Sequence, residues 1–281
     1  MADRRHNEVL KALYWSPTGT TRRVACRLAD TLAMHAGLAR ALDTDCTNTA
    51  ARTRASTEAP GFNTGDVVVI AIPVYAGRVP NVILGYLRSL RGSGALAIAI
   101  VVYGNRHYDD ALVELVDILN QVGFVVAAAA AFIGEHSFSR YLAAGRPDAA
   151  DLALTDDFAL AIAKRLSQTN NERRELGIPG CRPYRPYYRP VSPTGDFVDM
   201  RKVVPETTSA CIGCGLCSRV CPMGSIDPGD NASIRGVCMK CGACVKACPV
   251  GAKIFSDEAY LRHLLELERD CVERREPELF L

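Results

Sequence analysis

Eight of the 12 cysteines in this chain fall into two short runs near its C-terminal end. Each run has the spacing C-x2-C-x2-C-x3-C and is followed directly by a proline. Small residues between the cysteines let the backbone approach a bound group closely. Because the second run repeats the first, the segment must fold as two similar halves, each a tight loop with a short helix that the fourth cysteine begins. The runs are Cys211, Cys214, Cys217 and Cys221, and Cys238, Cys241, Cys244 and Cys248.

This spacing is typical of iron–sulfur clusters, with the fourth cysteine of each run serving the opposite cluster. Structural zinc usually shows two C-x2-C pairs, and disulfides suit a small secreted chain, whereas residues 1–8 lack an apolar signal core. The pattern therefore favours two [4Fe–4S] clusters over zinc or disulfides. The predicted ligands are Cys211, Cys214, Cys217 and Cys248 for cluster 1, and Cys238, Cys241, Cys244 and Cys221 for cluster 2.

Residues 205–255, which contain both runs, resemble the two-cluster bacterial ferredoxins. The resemblance implies one-electron transfer and says little about the partner. A cluster held by four thiolates carries net negative charge, so nearby cations should raise its reduction potential. The alternative for each cation is a solvated surface charge with no effect on the cluster. The basic residues of this segment are Arg219, Arg235, Lys240, Lys246 and Lys253.

The rest of the chain is long enough for a second, larger domain. It has 281 residues in all, 48% of them hydrophobic, and a net charge of +2. A net charge so close to zero gives no reason to expect a nucleic-acid partner. No apolar run reaches the length of a membrane span. Oxygen-sensitive clusters and free thiols fit the cytoplasm. We expect a redox partner protein, whose identity the sequence leaves open together with the oligomeric state.

The first two-thirds of the chain alternates apolar runs with helical patterns. Strands are predicted at 9–15, 66–72, 96–102 and 124–132, with a weaker one at 38–42, and helices at 20–35, 81–90, 108–122 and 148–166. Runs that are apolar on both faces predict a parallel sheet covered on both sides. We therefore expect an α/β fold, a doubly wound parallel sheet of five strands in the order 2-1-3-4-5, over residues 1–167.

In such folds ligands bind beyond the C-terminal ends of the strands. The loop after the first predicted strand offers hydroxyls, a glycine turn and the free N–H groups of a helix N-terminus, which together suit a phosphate group. It lacks the Gly-Lys-Ser/Thr ending of a Walker loop. The alternative is an ordinary helix cap. The candidate phosphate-binding residues are Ser16, Thr18, Gly19, Thr20 and Thr21.

This loop resembles the FMN phosphate loop of flavodoxins, S/T-x-T-G-x-T. The loops 73–80 and 103–109 lie where flavodoxins contact the isoalloxazine ring. Together with the cysteine runs they resemble the fused flavodoxin–ferredoxin proteins of anaerobic prokaryotes, over nearly the whole chain. The resemblance implies FMN and an electron-transfer role. It assigns ring contacts to Pro73, Val74, Tyr75, Ala76, Gly77, Tyr103, Gly104, Asn105, Arg106 and Tyr108.

Within that resemblance, the backbone N–H groups of Gly77 and Asn105 would hydrogen-bond the flavin. One of Tyr75, Tyr103 and Tyr108 would stack on its ring, or each packs at the rim. A closed pocket over the ring, lined by His136 or Arg106, would favour a flavin-dependent reductase of a small substrate. A ring edge open to solvent would favour pure electron transfer. A third hypothesis is a binding module whose clusters are structural.

Two further segments complete the chain. Residues 168–204 are rich in Pro, Arg and Tyr, which predicts an extended, stiff linker. Its aromatic residues would pack between the domains rather than stack on nucleic acid. The tail, 256–281, contains a charged amphipathic pattern at 257–274, which predicts a helix that docks on one of the two domains.

Overall fold

The computed structural model describes residues 8–48, 61–168 and 175–281. The larger domain alternates strands and helices along the chain, as its apolar pattern predicts. Its elements are β1 (Val9–Tyr14), α1 (Thr20–Ala36), β2 (Ala39–Arg40), β3 (Thr44–Asp45), β4 (Val67–Pro73), α2 (Asn81–Ser89), β5 (Leu96–Tyr103), α3 (Ala111–Gln121), β6 (Val125–Ile133) and α4 (Ala149–Ser167).

The sheet of this domain is parallel, with the order β2-β1-β4-β5-β6. This is the 2-1-3-4-5 order of flavodoxin-like sheets, so the predicted fold class is confirmed. Every residue of β4 is buried, because helices cover both faces of the sheet. One core lies under α2 and α3, and a second lies under α1 and α4.

The remainder of the described chain is built around the cysteine runs. It contains a 3₁₀ turn (Met200–Lys202), β7 (Glu206–Thr207), α5 (Leu216–Val220), α6 (Ala243–Ala247), β8 (Lys253–Ile254), α7 (Glu258–Asp270) and β9 (Glu278–Phe280). β7 and β8 pair antiparallel, and α5 packs on α6. Within the described ranges, no helix combines the length and the apolar character that crossing a bilayer requires.

The two cysteine helices differ from the prediction in one respect. α5 follows Gly215, and α6 follows Gly242, and both glycines have left-handed φ values of 67° and 70°. Cys221 and Cys248 come directly after these helices. The prediction that the fourth cysteine begins a helix is therefore wrong. The proline after each of these cysteines disfavours helical geometry at the residue before it, which is the cysteine itself.

The C-terminal tail also departs from the prediction. The helix α7 ends at Asp270, short of the expected 274, and the chain then returns to the larger domain. There β9 pairs antiparallel with β6, with Ala131 opposite Glu278 and Ala129 opposite Phe280. This short strand adds to the edge of a sheet that was expected to have five strands. The short β3 beside β1 is a second addition.

The described part of the linker lies along the larger domain rather than free in solvent. Arg182 donates two hydrogen bonds of 2.8 Å to Asp117 on α3. The backbone N–H of Arg185 donates to the buried Asp110 at 2.7 Å. The Tyr187 hydroxyl donates to the Val79 carbonyl at 2.7 Å. These contacts hold the linker against the end of the sheet where the candidate ring loops lie.

Candidate cofactor sites

Two small cavities in the C-terminal part are lined by the eight cysteines of the runs. We call them the first and the second cysteine cavity. The first is lined by Cys211, Cys214, Cys217 and Cys248, and the second by Cys221, Cys238, Cys241 and Cys244. Each cavity thus combines three cysteines of one run with the fourth cysteine of the other. The packing of α5 on α6 brings the two runs into this arrangement.

The surroundings of the fourth cysteines suit sulfur ligands. The backbone N–H of Ala252 donates to Cys248 Sγ at 3.1 Å, and that of Ser225 donates to Cys221 Sγ at 3.4 Å. Burial raises the pKa of Cys248, but hydrogen bonds from several backbone N–H groups outweigh it, and the pKa lies below its usual value. Hydrogen bonds to sulfur favour the thiolate, which is the form that binds metal.

The two cavities differ in their exposure. Cys211 and Cys214, in the first, are exposed, whereas Cys241 and Cys244, in the second, are buried. Burial raises the pKa of both Cys241 and Cys244 to about 12. Deprotonating these thiols therefore requires a bound cation or cluster. Among the described residues, no three His, Cys, Asp or Glu side chains converge as ligands of one metal ion.

The candidate phosphate loop joins β1 to α1. Gly19, with φ 87°, precedes the helix. Ser16 Oγ accepts a hydrogen bond of 3.0 Å from the Arg22 N–H in the first helical turn, and Thr21 is buried. The half-buried Thr18 and Thr20 therefore keep the more accessible hydroxyls. The N–H groups of Thr20 and Thr21 also lie in the first turn, where a helix offers them no partner, so they are donors of the kind that a phosphate needs.

A larger cavity of about 230 Å³ lies between the two domains. We call it the interdomain cavity. It gathers residues from the loop after β4, the loops after β5 and β6, the linker, the second cysteine run and α7. The lining residues are Val74, Tyr75, Ala76, Arg106, His136, Ser137, Phe138, Tyr188, Pro190, Met200, Met239, Lys240, His263 and Leu267. Four of the predicted ring contacts, Val74, Tyr75, Ala76 and Arg106, are among them.

The interdomain cavity lies next to the second cysteine cavity. Met239 lines both cavities. Tyr75 packs edge-on against Trp15, with ring centroids 5.6 Å apart. Burial, and then the nearby Cys241, raise the pKa of Tyr75 well above its usual value. A group in the interdomain cavity and a group in the second cysteine cavity would therefore be separated by little more than one side chain.

Close backbone contacts dock the two domains beside these cavities. A Cβ atom at Gly242 would overlap the carbonyl oxygen of Ser137, so the cysteine loop touches the loop after β6 directly. Lys246 donates hydrogen bonds to the Glu135 carboxylate, to the His136 carbonyl at 2.7 Å and to the Ser139 carbonyl at 3.0 Å. The side chain of Lys246 is therefore an anchor between the domains.

The remaining predicted ring contacts lie elsewhere. Pro73 ends β4, while Gly77 and Gly104 pack too closely against Asp109 and His136 to carry a side chain. The buried Tyr103 packs against Tyr108, whose hydroxyl donates to Glu278 Oε2 at 2.7 Å. The Asn105 Nδ2 donates to the Cys271 and Glu273 carbonyls at 2.6 and 2.8 Å. The side chains of Asn105 and Tyr108 thus hold the tail, and none of the three residues lines the interdomain cavity.

Two arginines in the loops after β4 and β5, Arg78 and Arg106, also have different roles. Arg78 donates to both carboxylate oxygens of Glu114, at 2.8 and 2.7 Å, and its guanidinium lies over the rings of Tyr184 and Tyr187. It therefore fastens the linker. Arg106 lines the cavity, where its guanidinium carbon lies 4.8 Å from the centre of the Tyr188 ring.

His136 lies in the same cavity. Burial, and then the nearby Lys246, lower its pKa to about 4, so the imidazole is neutral at pH 7. His263, on α7, faces the same space, and burial lowers its pKa as well. Sequence reasoning missed His263, Tyr188 and Met239 as site residues. They come from the tail, the linker and the cysteine loop, and no local pattern marks them as neighbours of the loops after β4 and β6.

Comparison with known proteins identifies the part of the chain that holds the cysteine runs. Residues 210–252, which hold both runs, match the family model of the 4Fe-4S dicluster domain. No curated protein matches the chain. The match and the strand order together describe a flavodoxin-like domain joined to an iron–sulfur domain of the ferredoxin type.

Several solved structures resemble the first part of the chain. A flavodoxin from Streptococcus pneumoniae TIGR4 has 17% identity and a TM-score of 0.38, over 56% of this chain and 99% of that one. Flavodoxin 2 from Bacillus cereus has 14% identity and a TM-score of 0.39, over 56% and 99%. An NADH:FMN oxidoreductase in its apo form has 16% identity and a TM-score of 0.43, over 62% and 97%.

Proposed function

We propose that this protein transfers electrons between two [4Fe–4S] clusters and an FMN carried on the same chain. The observation that carries the proposal is the interdomain cavity, which the candidate ring loops share with Met239 of the second cysteine cavity. When bound, the clusters supply one-electron steps, and the flavin exchanges two electrons in single steps. Carrying both cofactors on one chain makes the exchange intramolecular, at high effective concentration.

The cluster ligands in this proposal follow the cavities. Cys211, Cys214, Cys217 and Cys248 hold cluster 1, and Cys238, Cys241, Cys244 and Cys221 hold cluster 2. The grouping of the thiols and the N–H groups aimed at Cys221 and Cys248 support these two sets.

The flavin site in this proposal combines the phosphate loop with the interdomain cavity. Ser16, Thr18, Gly19, Thr20 and Thr21 hold the phosphate through backbone N–H groups and hydroxyls. The ring lies against Val74, Tyr75 and Ala76, with Arg106 at the opposite wall. A Cβ at Gly134 would contact Thr20, so the phosphate loop also borders the loop after β6 that lines the cavity.

The outer redox partner would meet the protein at cluster 1. Cys211 and Cys214 are exposed, and Ile212 between them is 64% exposed, whereas the cysteines of the second cavity are more enclosed. The proposed relay therefore runs from a partner protein at the exposed loop, through cluster 1 and cluster 2, to the flavin. We place the protein in the cytoplasm, where a reducing environment protects free thiols.

Anaerobic reconstitution tests the cofactor content. The loaded protein should contain iron and sulfide for two [4Fe–4S] clusters and one FMN per chain, and stepwise reduction should show both absorbance changes. The variant Cys181→Ala serves as the control, because Cys181 is exposed and lies outside both cavities. A full load of iron without bound flavin would contradict the flavin half of the proposal.

Two double variants test the crossed ligand sets. With crossed ligation, Cys217→Ala with Cys248→Ala damages only cluster 1, and one intact cluster remains. The matched pair, Cys217→Ala with Cys221→Ala, damages both. If each run instead held its own cluster, the two results would be exchanged. Iron content and the EPR spectrum of the reduced protein distinguish the outcomes.

A second candidate function has its own supporting observation. The interdomain cavity is lined by His136 and Arg106, as a flavin-dependent reductase of a small substrate would require. Under this alternative, His136→Ala and Arg106→Ala should slow the oxidation of the reduced flavin by small acceptors. They should leave the oxidation of cluster 1 by a protein acceptor unchanged. If the unaltered protein, His136→Ala and Arg106→Ala all reduced small acceptors at equal rates, the result would count against the reductase.

A further inference from the structure

A lysine is buried beside the cluster sites with no protein group to balance its charge. Lys253 lies on β8, is 2% exposed, and lines the first cysteine cavity. Its Nζ is buried and has no hydrogen-bond partner. Burying an unpaired ammonium is costly, so such groups are normally paired or bound to an anion. The position of Lys253 therefore indicates a negatively charged neighbour.

The internal repeat shows that this charge is a departure from symmetry. Lys253 is the fifth residue after Cys248, and the residue at the same place after Cys221 is Ile226. Ile226 is 3% exposed and lines the second cysteine cavity. An apolar side chain therefore fills this position in one half of the domain, and a cation fills it in the other. Packing alone does not require the charge.

The protein surroundings offer Lys253 no other explanation. Among the described residues that line the first cavity, one other buried polar atom lacks a partner, Asn231 Oδ1, and it is not hydrogen-bonded to the ammonium. Lys253 lies in the wall of the first cavity, beside the thiols of Cys211, Cys214, Cys217 and Cys248.

We propose that Lys253 raises the reduction potential of cluster 1, as a fixed cation buried in the wall of the first cysteine cavity. The inference rests on the proposed function, because it requires cluster 1 to be bound. Reduction by a low-potential donor such as dithionite adds one electron, and one negative charge, to a cluster site, and the donor is oxidised. The ammonium stabilises that added charge without any proton transfer, which raises the potential.

The test is Lys253→Met, which keeps an unbranched apolar stem of nearly the same length and removes the charge. Potentiometric titration of the loaded protein, followed by EPR, should show at least a tenfold loss in the equilibrium constant for reducing cluster 1. For a one-electron step this is a fall of about 59 mV. The control is Lys202→Met, which removes the charge of an exposed lysine and should leave both potentials nearly unchanged. Unchanged potentials in Lys253→Met would overturn the inference.

A second variant covers the case in which Lys253→Met fails to load iron. Lys253→Arg keeps the charge, so it should restore cluster content if the cation is what the site needs. If Lys253→Arg fails equally, the lysine acts through its packing, and the inference is wrong. Failure of the proposed function is a separate result, since the unaltered chain would then bind no [4Fe–4S] clusters under the same conditions.

Discussion

The contact between Gly242 and Ser137 gives a sharp test of how the two domains dock. Gly242 has a φ of 70° and touches the Ser137 carbonyl oxygen where a Cβ would lie. Gly215 stands at the same place in the first half of the repeat, with a φ of 67°. A Cβ there would meet the flexible side chains of Arg219, at 3.2 Å, and Ser218, at 3.9 Å. Gly215→Ala is therefore the matched control for Gly242→Ala.

The expected magnitudes follow from these surroundings. Both variants place an alanine in the left-handed region, which costs about 1–2 kcal/mol. Only Gly242→Ala forces the cysteine loop away from Ser137, and this movement breaks the three hydrogen bonds of Lys246 with the loop after β6. At about 1 kcal/mol each, their loss adds about 3 kcal/mol. This corresponds to a roughly hundredfold change in the equilibrium between docked and separated domains.

The assay is urea denaturation of both variants under anaerobic conditions, with iron content measured first. Limited proteolysis of the linker reports separation of the domains in the native state. Gly242→Ala should lose about 3 kcal/mol more of its free energy of unfolding than Gly215→Ala, and its linker should be cut faster. Equal losses and equal cleavage in the two variants would refute the contact as a determinant of docking.

The pKa of His136 is about 4 in the folded chain and near 6.5 in an unfolded one. As the pH falls, the unfolded state therefore binds the proton first, and the free energy of unfolding decreases between about pH 6.5 and about pH 4. The loss is at most about 3 kcal/mol, and His136→Gln should remove it from urea titrations at pH 4 and 7; an identical pH profile would contradict this. Asn105→Gly preserves the left-handed backbone, with φ 65°, but removes the hydrogen bonds to the tail. It should cost about 2 kcal/mol and speed hydrogen exchange in β9, and unchanged exchange there would show that the tail is held by other contacts. The Arg185 guanidinium holds the pKa of Asp110 far below its usual range. The ion pair therefore contributes its full stability at any pH above the ordinary carboxyl pKa, and this stability is lost only as the pH falls into strong acid. Asp110→Asn should therefore loosen the linker at pH 7 and accelerate its proteolysis, whereas a resistant linker would argue that Asp110 is dispensable.

Some of the site could be predicted because its signals are local. The cysteine spacing and the alternation of apolar runs lie within short segments, and so does the placement of Tyr75 and Arg106 in loops at the C-terminal edge of the sheet. The assignment of ring contacts to Tyr103, Asn105 and Tyr108 stays a prediction. The sequence did not show that the side chains of Asn105 and Tyr108 bind the tail, a segment more than 160 residues further along the chain.

The short elements were beyond sequence reasoning for a similar reason. β9 has only three residues, and what makes them a strand is the open edge of β6, not their own composition. The helix of the tail was expected from its leucine spacing, but its end at Asp270 and the return of the chain were not. Sequence reasoning also could not separate the roles of Arg78 and Arg106. Both follow a strand at the same edge of the sheet, but only Arg106 lines the interdomain cavity, whereas Arg78 pairs with Glu114.

The sequence by itself determined the class of the fold and the kind of ligand set. Buried parallel strands require apolar runs, and clusters require closely spaced thiols, so both leave a periodic record in the chain. The tertiary structure alone decided how the parts meet. The packing of α5 on α6 groups the cysteines, the fit of Gly242 on Ser137 brings Met239 to the candidate ring loops, and the fold buries Lys253 without a hydrogen-bond partner. These relations join distant segments through shape and burial, which no local pattern encodes.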